Sequence, residues 1–184
     1  MMKIGLTGSI GMGKSTCGQM LQDLGVPVHD SDKVVHALLA EGGKAEAEVI
    51  KQFPSLIAPI DRKALGQIVF NDDQSRQELE AILHPLVRAD RDAFFQRHAD
   101  KDMAAADIPL LYETGCEAEL DVVIVVSASI ETQRARVLAR PGMTEDKLTA
   151  ILARQMPDTN KRARADYVVD TGTCLLYTSP SPRD

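Results

Sequence analysis

The chain has little from which a disulfide framework, a metal centre or a membrane span could be built. Its three cysteines, Cys17, Cys116 and Cys174, lie far apart, with no C-x-x-C pair and no neighbouring histidine pair. That spacing argues against a cysteine-stapled scaffold and against a zinc site, and it fits a reducing cytoplasm. No apolar run is long enough to span a bilayer, and Lys3 alone precedes a short run ending in glycines, unlike a secretory signal. Basic residues are not in excess either: 21 Lys and Arg against 27 Asp and Glu leave a net charge of -6. A general nucleic-acid binder is thereby disfavoured, although a local phosphate site is not. No internal repeat is present, and no feature of the sequence fixes an oligomeric state. With 184 residues, 44% hydrophobic and 26% charged, the composition is that of one well-cored globular domain with room for an insertion.

Five short apolar runs read as buried strands: Lys3–Thr7, Val26–His29, Met103–Leu111, Asp121–Val126 and Tyr167–Val169. Between them lie helical patterns. Met20, Leu21 and Leu24 mark one face of a helix over Ser15–Leu24. Leu79, Ile82, Leu83 and Leu86 recur at i, i+3, i+4 and i+7. Ile130–Leu138 and Glu145–Met156 keep the same period, with Thr144 as an N-cap before two acids. Strands that are continuously apolar and alternate with helices predict an α/β fold, a parallel sheet covered on both faces. Residues 31–98 carry no convincing strand and read as a helical insertion broken by Gly42-Gly43, Pro54, Pro59 and Pro85. The last residues, CLLYTSPSPRD, have neither period. The helix expected after the fifth strand is missing, so residues 173–184 read as a non-native tail, with a natural disordered C-terminus as the alternative.

The most informative stretch is Gly8–Ser15, GSIGMGKS. It matches G-x-x-x-x-G-K-[ST] and lies between a strand and a helix. A phosphate chain must approach such a backbone closely, and Gly8, Gly11 and Gly13 remove the side chains that would block it. Main-chain N–H groups and the positive end of the following helix then face the anion. Lys14 can reach the β- and γ-phosphates, and the Ser15 hydroxyl can meet Mg2+. The loop and helix start, Gly8, Gly11, Met12, Gly13, Lys14, Ser15 and Thr16, are therefore the expected contacts of a nucleoside triphosphate. The motif fixes a nucleotide but not a reaction.

Acceptor-side candidates lie where strands end. Asp30 and Asp32 follow the second strand, at the carboxyl edge where doubly wound proteins bind ligands. Either could take a hydroxyl proton during in-line attack, or both could be turn acids capping the next helix. Glu113 closes the Pro109–Glu113 segment, PLLYE, and reads either as a substrate or metal-water contact or as a cap. His84 stands beside Pro85 and reads as a structural or a substrate-side histidine. Arg134, Arg136 and Arg140 precede Pro141-Gly142, so the helical pair reads either as a mobile lid able to bring guanidinium groups onto a transferring phosphoryl group or as a surface helical hairpin with solvated charges. The i, i+4 spacing of Arg136 and Arg140 predicts a shared face. Asp170 and Gly172, in the loop after the fifth strand, can pass under an adenine.

TGSIGMGKST, DSD, IVFND, LEAILHPLV, PLLYE, the arginine-rich lid and RARADYVVDTG occur in that order. The sequence resembles the dephospho-CoA kinases over Lys3 to about Gly172. The resemblance implies a P-loop kinase fold, a five-stranded parallel sheet with helices on both faces, a helical substrate-binding insertion and a helical lid. It implies one kinase unit over 1–172, with core segments 1–32, 99–127 and 157–172, substrate region 33–98 and lid 128–156. The implied reaction is transfer of the ATP γ-phosphate to the ribose 3′-hydroxyl of dephospho-CoA in the cytoplasm, with Mg2+, giving coenzyme A and ADP. The partner is a small molecule, with no nucleic acid and no membrane. Asp32 rather than Asp30 is implied as catalytic base, and Lys14 and Arg140 as catalytic cations. Asp32, His84, Arg88 and Glu113 are implied as substrate contacts. Here Pro141 follows Arg140, where many members of the family carry an acid. The rival readings are a nucleoside or nucleotide kinase on the same core, and a nucleotide-binding switch without catalysis.

Overall fold

A computed structural model describes residues 1–172 and 178–180. The chain forms two compact units, one of residues 1–29 with 98–184, the other of residues 30–97.

The first unit is built on a sheet. Strands β1 (Met2–Thr7), β2 (Val28–Asp30), β3 (Met103–Asp107), β4 (Val122–Ser127), β5 (Tyr167–Asp170) and β6 (Thr178–Pro180) lie in the order β2-β3-β1-β4-β5-β6. β1 pairs in parallel with β3 on one side and β4 on the other, Ile4 standing opposite Ala105 and Val122. The chain leaves β1 toward β2 and β3 on one flank and crosses to β4 on the other. The end of β1 is thus the point where strand order reverses, the position at which such sheets bind ligands. The sequence explains the burial. Ala104, Ala105 and Ala106 are fully covered in β3, as are Val125 and Val126 in β4, so no polar face is needed. Helix α1 (Lys14–Asp23) packs Cys17 against Leu6 and Val126.

The sheet departs from expectation at one edge. Five parallel strands are present, and β6 adds a sixth, antiparallel to β5, with Val168 opposite Ser179. Residues 178–180 belong to the segment expected to stand apart from the fold. An edge strand presents unpaired N–H and C=O groups, and pairing with them demands no particular side chains. Cys174 and the rest of that tail lie outside the described residues.

The second unit is helical: α2 (Ser31–Leu38), α3 (Glu46–Gln52), α4 (Arg62–Asn71) and α5 (Asp73–Arg97). The other three helices pack on α5. Its core gathers Leu38, Leu39, Val49, Phe53, Leu65 and Leu83. Gly42-Gly43, Pro54 and Pro59 fall between helices, as expected. Pro85 does not: it lies inside the 25 residues of α5. Proline forfeits one backbone hydrogen bond, a net loss of about 1 kcal/mol, beyond its steric cost. Against that, Leu83 on the same helix is buried in the core and Leu79, Ile82, Leu86 and Val87 pack against it partly buried, where full burial of one such side chain is worth about 1.5–3 kcal/mol. Burial of the periodic face therefore outweighs the break.

Three further helices belong to the first unit: α6 (Ile130–Leu138), α7 (Glu145–Ala153) and α8 (Asp158–Arg164). The Thr144 side chain caps α7 by accepting the Lys147 N–H at 3.3 Å. Helix α8 was not expected, although Asp158 in its first turn and Lys161, Arg162 and Arg164 in its last match the helix dipole. No described helix is long and apolar enough to cross a membrane. Replacement of Leu83 by Ala should cost about 2–5 kcal/mol of stability. Urea denaturation followed by circular dichroism measures this, and a loss under 1 kcal/mol would contradict the core assigned to α5.

Candidate active site

The loop between β1 and α1 is shaped by its glycines. Gly11 and Gly13 have φ of 79° and 92°, the left-handed region that only glycine enters without strain. A Cβ on Gly13 would also crowd Oγ1 of Thr171 at 3.1 Å. Gly13 is the N-cap of α1, and its carbonyl accepts from the N–H groups of Thr16 and Cys17. Lys14 opens the helix, with Ser15 and Thr16 exposed in its first turn. Met12 is buried. Its carbonyl accepts from Oγ1 of Thr171 at 2.7 Å, and its Sδ lies 3.1 Å from the Ala128 N–H.

Lys14 is not adrift in the loop. Its Nζ pairs with Oδ1 of Asp107, the last residue of β3, and the two side chains are 14% and 12% exposed. Strand β3 lies beside β1, so its final carboxylate meets the lysine that follows the loop. Asp107 was not singled out from the sequence, where Met103–Leu111 reads as one strand. The signal was there: an apolar run ending in an acid, followed by Pro109. Burial, and then the Asp107 charge, push the pKa of the nearby Cys17 thiol up.

The loop after β5 braces this arrangement. Asp170 accepts the Gly172 N–H at 2.7 Å, closing a tight turn around Thr171. Arg136, from α6, donates to Oγ1 of Thr171 at 2.9 Å and to its carbonyl at 2.7 Å. Thr171 thus joins α6 to the glycine loop, a role the sequence did not disclose. Because α6 stops at Leu138, the shared face expected of Arg136 and Arg140 does not form. Arg136 turns to Thr171, Arg134 pairs with Glu145 at 2.6 Å, and Arg140 is exposed in the turn before Gly142.

Glu113 is built into the first unit. Its Oε1 accepts from the Met156 N–H at 2.7 Å and from Nζ of Lys161 at 2.9 Å. Lys161 is fully buried, with Pro109 O at 3.4 Å as its second acceptor. Arg164 pairs with Glu117 and lies 4.6 Å above the Tyr112 ring. The segment after β3 is therefore held by α8.

The remaining candidates belong to the helical unit. Asp30 caps α2, its carboxylate accepting the Lys33 N–H at 3.0 Å. Asp32 is exposed in the first turn of the same helix. His84 and Arg88, four residues apart, share one exposed face of α5.

Removal of one member of a buried ion pair leaves an uncompensated charge. Lys161→Met should lower stability by about 3–5 kcal/mol, and adding Glu113→Gln should recover part of it. Thermal and urea denaturation of the two variants check this, and equal stability of the single variant and the wild type would contradict the burial of the pair.

Comparison with known proteins agrees with this geometry. The family model for dephospho-CoA kinase (CoaE) matches residues 2–175. The dephospho-CoA kinase of Mesorhizobium japonicum is 54% identical over 179 residues, covering 95% of this chain and 90% of that protein. Among solved structures, TT1252 from Thermus thermophilus superposes with a TM-score of 0.80 at 34% identity, over 95% of this chain and 90% of that one. The dephospho-CoA kinase from Campylobacter jejuni does so with a TM-score of 0.67 at 29% identity, over 93% and 88%. With a glycine loop at the reversal point of a parallel sheet and a family match along nearly its whole length, the chain belongs to the dephospho-CoA kinase family.

Proposed function

We propose that this protein transfers the γ-phosphoryl group of ATP to the ribose 3′-hydroxyl of dephospho-CoA, releasing ADP and coenzyme A, the final step of coenzyme A synthesis. The observation that carries the reading is the Lys14–Asp107 pair at the end of the glycine loop. It holds an ammonium group where a triphosphate would lie, and membership of the family supplies the acceptor.

In this reading the acceptor oxygen attacks the γ-phosphorus in line as the bond to the bridging oxygen of ADP breaks. The Asp32 carboxylate takes the hydroxyl proton. Lys14 and the main-chain N–H groups of the loop face the charge on the phosphates, and Arg140 faces the charge that develops on the transferring group. Asp170 and Gly172 border the adenine, and His84, Arg88 and Glu113 contact the acceptor. For Glu113 the available atom is Oε2, since Oε1 already serves Lys161 and Met156. The choice of Asp32 over Asp30 is supported by the capping bond that occupies Asp30.

The residues fit Mg2+ as the accompanying ion. Ser15 offers a hydroxyl and Asp107 a carboxylate, and among the described residues no group of three His, Cys, Asp or Glu could hold a metal by itself. Mg2+ characteristically keeps waters and takes few protein ligands beside substrate phosphates. When bound it neutralises charge on the β- and γ-phosphates. A cytoplasmic setting is part of the same proposal, supported by the scattered cysteines.

ADP release by the purified protein should depend on dephospho-CoA, and AMP, CMP or pantetheine should not replace it. Preference for a nucleoside monophosphate would overturn the acceptor assignment. Asp32→Asn should lower kcat by about 10²–10⁴ while ATP affinity stays within about twofold, and wild-type turnover in that variant would remove Asp32 as base. Lys14→Ala should weaken both ATP binding and rate, and calorimetry with steady-state kinetics reads the two separately.

A further inference from the structure

The glycine loop contains a turn whose geometry has two possible states. The Met12 N–H donates to Ser9 O at 3.2 Å, closing a four-residue turn over Ser9–Met12. Its third residue, Gly11, has φ of 79°. That is the signature of a type II turn. Type I would rotate the central peptide, between Ile10 and Gly11, by roughly half a turn. In a trans peptide the C=O and N–H point in opposite directions. The turn type therefore decides which way the Gly11 N–H faces, and with it whether the loop offers a donor or a carbonyl to an anion.

One glutamine holds that central peptide, and a second holds the peptide before it. Gln133, on α6 and only 5% exposed, donates from Nε2 to the Ile10 carbonyl at 2.8 Å. Gln155, two residues beyond α7, accepts the Ile10 N–H on Oε1 at 3.1 Å. The amide orientations are unambiguous, because a carbonyl can only accept and an N–H can only donate. Together they hold both backbone groups of one residue, as a neighbouring strand would. On the other side of the central peptide, a Cβ on Gly11 would meet Cγ2 of Val137 at 2.5 Å and the Gln133 carbonyl at 3.0 Å. Helix α6 thus fits closely against the type II form.

We infer that Gln133 and Gln155 are positioning residues that lock the phosphate loop in its anion-receiving turn and tie it to both limbs of the helical pair bearing Arg140. They act through the Ile10 backbone and touch no phosphate. A loop fixed before binding loses less on ordering, so the locking contributes to nucleotide affinity. The same two side chains set the loop and the limbs on either side of Arg140, so loosening one disturbs the other. The inference rests on the triphosphate reading of the loop and is independent of the acceptor.

Gln133→Met and Gln155→Met keep side-chain length and remove the hydrogen bonds. Each should raise the Kd for ADP about 3–10-fold by calorimetry, with Tm of the free protein lowered by only a few degrees. Gln133→Glu, which sets a carboxylate against the Ile10 carbonyl, should raise it further. Amide exchange by NMR should accelerate at Ile10 in Gln155→Met, and the Gly11 amide signal should shift in Gln133→Met. Unchanged ADP affinity in both methionine variants, with Tm lowered, would reduce the glutamines to packing and overturn the inference. Failure of the wild type to bind ADP would overturn the triphosphate reading. Exchange at Ile10 and the Gly11 shift then decide the lock separately, and wild-type values at both would sink it.

Discussion

The contact between Lys14 and Asp107 is the constraint on which the chemistry of this chain depends. It joins the first residue of α1 to the last residue of β3, and it exists because β3 is placed beside β1 in the sheet. A lysine ammonium largely removed from water is costly unless a counter-charge stands beside it. Asp107 supplies that charge, so the loop can keep a cation at its mouth in the free protein. The pair is thus maintained by the topology of the sheet.

The rest of the sheet unit serves to keep that loop in shape. Thr171 receives Arg136 and donates to Met12, so the end of β5 and helix α6 both bear on the residue between the two left-handed glycines. Lys161 performs a parallel task on the other flank. Buried among α8 and the segment after β3, it joins Glu113 and Pro109, and the Thr7 hydroxyl donates to Pro109 O at 3.3 Å. Thr7 is the last residue before the loop. Its position is therefore referred to the same carbonyl that Lys161 holds. Such braces use polar side chains in a covered place, where each group must find its partner or destabilise the fold.

What could be read from the residues divides along these lines. The parallel strands, the loop and the flanking helices were legible because they rest on local patterns: apolar runs, a 3.6-residue period and glycines at fixed spacing. Pro85 misled because a local rule, that proline ends helices, was overruled by the buried face of α5. Asp107, Thr171, Gln133, Gln155 and Lys161 escaped because their roles come from partners 35 to 159 positions away, as between Arg136 and Thr171 or Thr171 and Met12. No window along the chain contains both ends of such a bond. Strand β6 escaped for the opposite reason, since edge pairing is carried by backbone groups that every residue has.

Three arginines on the first limb and turn of the helical pair, Arg134, Arg136 and Arg140, show how geometry narrows a choice that residue type leaves open. All three carry the same charge, and all lie within seven residues of chain, 134 to 140. Arg134 is paired to Glu145 across the turn, and Arg136 faces the Thr171 carbonyl and hydroxyl. Neither can move to a transferring phosphoryl group without abandoning a bond that the fold uses. Arg140 stands beyond the C-cap Ala139, exposed, in a turn that passes through the left-handed Gly142. A guanidinium that meets charge only as it develops must be able to arrive late, and a side chain already engaged in the scaffold cannot do so. Of these three arginines, Arg140 is for that reason the one that the proposed transfer calls on.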